Sequence, residues 1–96
     1  MDMRAMVIER VARLQKLDIE TLCSLPEHSQ EIVSPEEKVT VSQYHEVSEA
    51  GEHKLVVQAL RPKWFGMFTA IQVEGFVVSK DGTKRPLTEK EKWPYL

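Results

Sequence analysis

The chain has 96 residues, of which 42% are hydrophobic and 29% are charged, and its formal net charge is −2. This length and balance predict one small folded domain, residues 1–96, with too little core for a deep enzymatic cleft. No run of 18 apolar residues is present, which predicts no membrane span, and the single cysteine excludes an internal disulfide and favours a cytoplasmic location.

Two helices are predicted at the start of the chain. The first runs from about Asp2 to Lys16, because its apolar residues recur at helical spacing. These are Met3, Val7, Val11 and Leu14. Asp18 is suited to cap a second helix, Ile19–Ser24, by accepting its first free amide hydrogens. On this helix we expect Cys23 to be a small buried residue.

A connecting region and a hairpin are predicted next. Glu27–Ile32 is polar and is interpreted as a loop, and residues 34–37 (Ser-Pro-Glu-Glu) have the form of a capping box with one helical turn. Strands follow at Lys38–Val47 and His53–Arg61, joined by a three-residue loop in which Gly51 is left-handed. This loop fixes the register and sets three pairs opposite each other: Val41 and Ala59, His45 and Leu55, Glu46 and Lys54.

Met67–Lys80 is the longest run with the composition of a strand. Ile71 and Val73 alternate with polar residues, and the apolar positions change phase after Gly75, where a bulge is predicted. A loop at Pro62–Gly66 would set Val57 beside Ile71. It would also align opposite charges in one row across three strands: Glu46, Lys54 and Glu74.

This register predicts which residues share a face of the sheet. The expected core consists of Val11, Leu14, Leu55, Val57, Ile71 and Val73. The other face would carry apolar side chains that something must cover: Tyr44, Val56, Leu60 and Phe68. Two covers remain open. One is the chain's own Trp93, Tyr95 and Leu96, and the other is a second copy or an unknown protein partner.

The end of the chain predicts an edge strand and a short helix. Asp81-Gly82 favours a type I′ turn, after which Thr83–Leu87 forms a short edge strand containing Pro86. Residues 88–91 (Thr-Glu-Lys-Glu) form a second capping box. The predicted fold class is therefore α+β, in the order α-α-β-β-β-β-α. The N-terminal helix and the short second helix pack on an antiparallel meander of three to four strands, and a short helix follows.

Motifs for chemistry are weak. Cys23, His28, His45 and His53 are the candidate metal ligands, and the register places His45 and His53 on one face, but no paired ligand spacing is present. A Cys23–His28 nucleophile would lack a third, orienting group. No glycine-rich phosphate loop or nucleophile elbow occurs. We therefore expect no metal, no cofactor and no enzymatic activity.

Binding is the remaining class of function. Residues 1–60 hold 6 Lys/Arg against 11 Asp/Glu, a balance of −5, whereas residues 61–96 hold 7 against 4, a balance of +3. The segment Arg61–Phe65 combines basic residues with aromatic residues. In this segment we expect Trp64 to be exposed and Phe65 to be buried. The candidate interaction residues are Arg61, Lys63, Trp64, Tyr44, Leu60, Phe68 and Trp93.

The sequence alone does not determine a function. It predicts a small non-catalytic binding or protein-interaction domain, with a homodimer or an unknown protein as partner. The alternative is a weak single-stranded nucleic-acid-binding domain that uses Arg61–Phe65, since cations with stacking aromatics hold single strands. The acidic net charge and the absence of a known nucleic-acid motif disfavour this alternative.

Overall fold

The computed structural model describes residues 2–63 and 67–96. The elements in chain order are α1 (Met3–Gln15), α2 (Ile19–Cys23), β1 (His28–Ser34), β2 (Val39–Val47), β3 (His53–Lys63), β4 (Phe68–Val78), β5 (Lys84–Pro86), α3 (Glu89–Lys92) and a 3-10 turn (Trp93–Tyr95). The strands form one antiparallel sheet in the order β1-β2-β3-β4-β5. The predicted α+β fold is confirmed, with five strands instead of three to four. Within the described residues, no helix is long and apolar enough to cross a membrane.

Both N-terminal helices begin close to the predicted positions, and the second begins at its predicted cap, Asp18. The Asp2 side chain accepts a hydrogen bond from the Ala5 amide at 3.2 Å, and Asp18 accepts one from the Thr21 amide at 2.8 Å. The hydrogen bonds with Thr21 lower the pKa of Asp18. These bonds satisfy amides that have no partner inside the helix, which sets where each helix starts.

The loop prediction for Glu27–Ile32 is wrong, because most of that segment belongs to β1. This strand pairs with β2, with His28 opposite Tyr44, and a bulge interrupts the pairing near its end. Its polar composition suits an outer strand whose residues are mostly exposed. Glu31 is placed toward α1, where it forms an ion pair with Arg10. β1 is therefore the strand that the prediction lacks, and it brings the sheet to five strands.

A tight turn, not a helical turn, joins β1 to β2, so the first capping-box prediction is wrong. Lys38 has a φ of +58°, and it is the one non-glycine residue of the described chain with a positive φ. This left-handed conformation costs a residue with a side chain about 1–2 kcal/mol. The turn delays the start of β2 by one residue, to Val39.

The β2–β3 hairpin forms as predicted. The Ser48 amide donates to the Glu52 carbonyl at 2.9 Å, and Gly51 is left-handed with a φ of +81°. The three predicted cross-strand pairs are all present, including Glu46 opposite Lys54. The ion pair between these two side chains has an N–O distance of 3.0 Å.

The β4–β5 hairpin has the same geometry and not the predicted type I′ turn. The Ser79 amide donates to the Thr83 carbonyl at 2.9 Å, and Gly82 is left-handed with a φ of +88°. Asp81 has no positive φ, which a type I′ turn requires. Its carboxylate instead accepts a hydrogen bond from the Thr83 amide at 2.9 Å, and bonding to Thr83 lowers the pKa of Asp81.

The predicted register between β3 and β4 is wrong by three residues. Val57 lies opposite Glu74 rather than Ile71, and Lys54 lies opposite Val77 rather than Glu74. An odd shift moves every side chain of one strand to the other face. Lys54 and Glu74 therefore lie on opposite faces, and the predicted row of charges across three strands does not exist.

The register prediction is wrong because the sequence predicts a loop from Pro62, whereas β3 continues to Lys63. Because the Glu52 carbonyl accepts from β2, and backbone groups alternate in direction along a strand, the even-numbered residues of β3 face β2. The pairing with β2 ends at Leu60. An N–H at position 62 would point to a place where no strand lies to accept it. Proline, which has no N–H, is therefore tolerated there.

Side chains cover the sheet on both faces, which we name by what covers them. The helix face packs against α1 and α2, and its buried residues include Val39, Val41, Leu55, Val57, Ala59, Phe76 and Val78. The tail face packs against the C-terminal segment, residues 87–96, and its cluster consists of Val56, Val73, Val77, Leu87 and Tyr95, with Tyr44 and Ile71 half-buried beside it. The single predicted core is therefore two clusters, and Ile71 and Val73 belong to the second.

No bulge is present at Gly75, because the pairing of β4 with β3 is continuous. The apolar residues change phase instead because β4 contributes buried side chains to both faces of the sheet. Gly75 is required for a different reason. A Cβ atom at this position would lie 2.1 Å from the Leu55 carbonyl oxygen and 2.8 Å from Cδ1 of Leu87.

The two clusters predict different costs for two truncations on β4. Phe76 is fully buried on the helix face, whereas Ile71 is half-buried on the tail face. Phe76→Ala should lower the free energy of unfolding by about 3–5 kcal/mol, and Ile71→Ala by less than half of that. Urea denaturation of both variants tests this, and equal losses would contradict the assignment of the two faces.

Candidate functional site

The seven predicted interaction residues do not form one surface. Tyr44 is half-buried on the tail face, where its ring lies 4.8 Å from that of His28 and 5.0 Å from that of Tyr95. Leu60 is half-buried on the same face. Phe68 was predicted beside them, but the observed register places it on the opposite face, with 62% of its surface exposed.

Three of the other four residues lie at two separate places. Arg61 and Lys63 lie at the C-terminal end of β3. Arg61 is half-buried, and Lys63 is exposed. Trp93 is 72% exposed in the 3-10 turn. Trp64 and Phe65 lie outside the described residues, so the prediction that Trp64 is exposed and Phe65 buried stays a prediction.

One of the three C-terminal residues considered as a cover packs on the tail face. Tyr95 is 8% exposed, whereas Trp93 and Leu96 are largely exposed, so of the three residues of that possible cover only Tyr95 packs in the tail-face cluster. The Tyr95 hydroxyl donates to the Glu46 carboxylate, and its backbone carbonyl accepts from the Gln58 side chain. Burial and the nearby carboxylate raise the pKa of Tyr95, and the same hydrogen bond lowers the pKa of Glu46.

The helix α3 holds the C-terminal segment in place through its capping box. Thr88 accepts from the Glu91 amide at 3.2 Å, and the Glu91 carboxylate accepts from the Thr88 amide at 2.9 Å, as predicted. Arg85 donates two hydrogen bonds to the same carboxylate, at 2.8 and 3.1 Å. Arg85 first, and Thr88 second, lower the pKa of Glu91 to about 2.

The lowered pKa of Glu91 predicts an acid-sensitive C-terminal segment. A carboxyl whose folded-state pKa is below its ordinary value of 4.5 stabilises the fold above that value. The contribution should disappear as pH falls from about 4.5 toward 2. Amide chemical shifts of residues 87–96 should report loosening in this range, and Glu91→Gln should show the loosened state already at pH 6.

The first candidate site is the edge of β4 that faces away from β3. The Gly75 carbonyl accepts from the Leu87 amide at 3.3 Å, so the odd-numbered residues of β4 point their backbone groups away from β3. Among the described residues, β5 pairs only with the last three residues of β4. Three residues consequently present outward N–H and C=O groups with no strand beside them. We call Thr69, Ile71 and Val73 the β4 edge.

Prolines obstruct part of the remaining edges of the sheet. Pro62 lies on the outer side of β3 beyond the end of β2, and Pro86 lies on the outer side of β5, because Arg85 is the residue whose backbone faces β4. A bulge before Ser34 and then Pro35 interrupt only the end of β1, and His28, Gln30 and Ile32 before them also point backbone groups outward, on a mostly polar strand. Prolines and bulges are the devices that keep exposed edges from pairing. The β4 edge has neither.

Exposed apolar side chains lie at the end of the β4 edge. Met67 is 77% exposed and Phe68 is 62% exposed, and the exposed cation Lys63 lies opposite Phe68. Methionine and aromatic residues are enriched at protein interfaces relative to the rest of the surface, whereas lysine is not. The edge therefore combines unused backbone hydrogen-bonding groups with side chains suited to a partner.

The second candidate site is a chain of hydrogen bonds that ends at Cys23. Sγ of Cys23 lies 3.4 Å from Nε2 of His53, and Nδ1 of His53 lies 2.8 Å from Nε2 of His45. Nδ1 of His45 lies 3.0 Å from the Leu25 carbonyl oxygen. Cys23 is exposed, so the prediction that it is buried is wrong. We call these three side chains the Cys–His–His relay.

An open cleft of about 770 Å³ adjoins the relay. Its lining residues are Cys23, Leu25, Glu27, His28, Tyr44, His45, Glu46 and Val47. His28 stacks on Tyr44 and is not a member of the relay. Within residues 2–63 and 67–96, no three His, Cys, Asp or Glu side chains are grouped so that they could hold a metal ion.

Comparisons with protein-family models, with curated proteins and with solved structures find no match. Function is therefore argued from the two sites alone. The sequence carried a signal for part of the relay, because the confirmed β2–β3 register places His45 and His53 on one face. It carried none for Cys23, which lies 30 residues before His53.

Proposed function

We propose that this protein is a non-catalytic interaction domain that binds an extended segment of a partner protein along the β4 edge. The single observation that carries this proposal is the open edge itself. Outward N–H and C=O groups at Thr69, Ile71 and Val73 are left unpaired by the described strands, and exposed apolar side chains adjoin them, whereas the outward residues of β1 lie on a mostly polar strand. An added strand is the partner that such groups accept.

The chemistry of the edge defines the partner. An added strand would exchange backbone hydrogen bonds with Thr69, Ile71 and Val73, each contributing about 0.5–1.5 kcal/mol net. Its apolar side chains would extend the tail-face cluster beside Ile71, which is half-buried. Residues 61–96 carry a positive balance of charge, and Lys63 is exposed. We therefore expect a partner segment with alternating apolar residues and with acidic residues near the end that meets Lys63.

The free protein should show alternating amide exchange along β4. The amides of Ala70 and Gln72 point toward β3, whereas those of Thr69, Ile71 and Val73 point toward solvent. Hydrogen exchange followed by NMR should be fast at the second set and slow at the first. Strong protection of the Ile71 amide in the free monomer would mean that the edge is already covered, which would contradict the proposal.

Peptide selection tests the binding itself. Randomised linear seven-residue peptides, displayed on phage, are selected on the wild-type protein, and the enriched peptides are then synthesised. Thr69→Pro removes one outward N–H without touching the bonds to β3 and should weaken binding about tenfold. Gln30→Pro is the matched control, because its N–H points outward from β1 on the opposite edge of the sheet.

The outcomes separate the alternatives. Loss of peptide binding in the Thr69→Pro variant and not in the Gln30→Pro variant supports the proposal. Peptides that bind both variants equally, peptides that lose binding in the Gln30→Pro variant instead, or an absence of enriched peptides overturn it. Two further measurements identify a different occupant of the surface. Sedimentation at increasing concentration reports a second copy, and a salt-sensitive shift with a single-stranded oligonucleotide would replace the proposal with the nucleic-acid alternative at Arg61–Phe65.

A further inference from the structure

We propose that Cys23 is a reactive thiol, activated by His53, that undergoes reversible exchange with small disulfides. This inference rests on the Cys–His–His relay and is independent of strand binding at the β4 edge. A nucleophile within hydrogen-bond reach of a base, which is itself oriented by a third group, is the arrangement that activates a cysteine. Here the base is His53, the orienting group is His45, and the thiol is exposed.

The Leu25 carbonyl sets the direction of every bond in the relay. A carbonyl oxygen only accepts, so Nδ1 of His45 carries a hydrogen and donates to it at 3.0 Å. In the neutral ring Nε2 of His45 then has a free lone pair and accepts from Nδ1–H of His53 at 2.8 Å. Nε2 of His53 is left with its lone pair directed at Sγ of Cys23. The basic nitrogen therefore faces the thiol.

Proton transfer along this relay requires no rearrangement of atoms. When Cys23 gives its proton to Nε2 of His53, the thiolate is held beside an imidazolium. That cation still donates from Nδ1 to His45, which is 6% exposed and fixed by the Leu25 carbonyl. The relay thus holds the His53 ring in the tautomer and orientation that accept the proton. Cys23 ends α2, where backbone carbonyls rather than amides are free, so the activation comes from His53 and not from the helix.

The exchange step balances in atoms and electrons. The Cys23 thiolate attacks one sulfur of the disulfide R–S–S–R, a new S–S bond forms, and the bond between the two R–S groups breaks. The leaving R–S⁻ takes the proton from His53 and departs as a thiol. Cys23 is oxidised to a mixed disulfide, and the small disulfide is reduced. The open cleft next to Cys23, about 770 Å³ in volume, is the space in which the attached group would lie.

Two reagents test the proposal on the intact protein. Iodoacetamide measures how fast the thiolate reacts, and oxidised glutathione measures exchange, followed as the mass of the mixed disulfide. At pH 7 an ordinary thiol is only a few per cent ionised. We expect wild-type Cys23 to react about fivefold faster than reduced glutathione under the same conditions, because Nε2 of His53 lies within reach to take up the proton of the thiol.

Variants distinguish the relay from simple exposure of the thiol. His53→Gln retains a hydrogen-bonding side chain but cannot take a proton, and it should lower both rates to that of the reference thiol. His28→Gln alters the same cleft outside the relay and should leave both rates unchanged. The other titratable groups that line the cleft are Glu27, His28, Tyr44 and Glu46.

A comparison that needs no variant covers the case in which His53→Gln does not fold. The wild-type chain unfolded in urea contains the same cysteine without the relay, and rates are normalised to those of reduced glutathione in each buffer. A folded rate several-fold above the unfolded rate at pH 7 supports the proposal. A folded rate at or below the unfolded rate, or a folded His53→Gln variant as reactive as the wild type, overturns it.

Discussion

The structure depends on β3 being buried on both faces and paired on both sides. Leu55 and Val57 are inaccessible on the helix face, and Val56 between them is inaccessible on the tail face. A strand covered in this way has no polar side for solvent, so its apolar residues run together instead of alternating with polar ones. The helices α1 and α2 and the C-terminal segment are held to the sheet because each packs over the same central strands.

The polar residues of β3 have a function in this arrangement. Lys54 and Gln58 lie on the tail face between buried valines, and both contact the C-terminal segment. Gln58 donates to the Tyr95 carbonyl, and the Lys54 ammonium lies 5.4 Å from the centre of the Tyr95 ring. Buried polar groups stabilise a fold only when they have partners. Here their partners are supplied by a segment about 40 residues later in the chain.

How far the sequence predicts this structure depends on how local the determining signal is. The caps at Asp18 and Thr88 and the β2–β3 hairpin follow from neighbouring residues, and all three are confirmed. β1 was missed because a polar outer strand forms through pairing with β2 and not through its own composition. The β3–β4 register was missed because the acceptability of Pro62 within a strand depends on where β2 ends.

The same division applies to the candidate sites. The position of His45 relative to His53 follows from a hairpin loop, whereas the approach of Cys23 depends on how α2 packs against the sheet. The β4 edge likewise depends on the length of β5, because only a strand as short as Lys84–Pro86 leaves three outward positions of β4 uncovered. No local motif encodes that length relative to β4.

The simple order of the sheet also bears on how the chain reaches this structure. Every strand pairs with its neighbours in sequence, so each pairing closes a short loop at a small cost in chain entropy. Contacts between residues close in sequence speed folding, and the meander should therefore assemble rapidly. The docking of α1 should be the slower event, because it brings α1 against β3 and β4, which lie 50 or more residues later in the chain. Until that docking, the helix face of the sheet is the larger exposed apolar surface, and it is this face that would attract chaperones or self-association in a newly made chain.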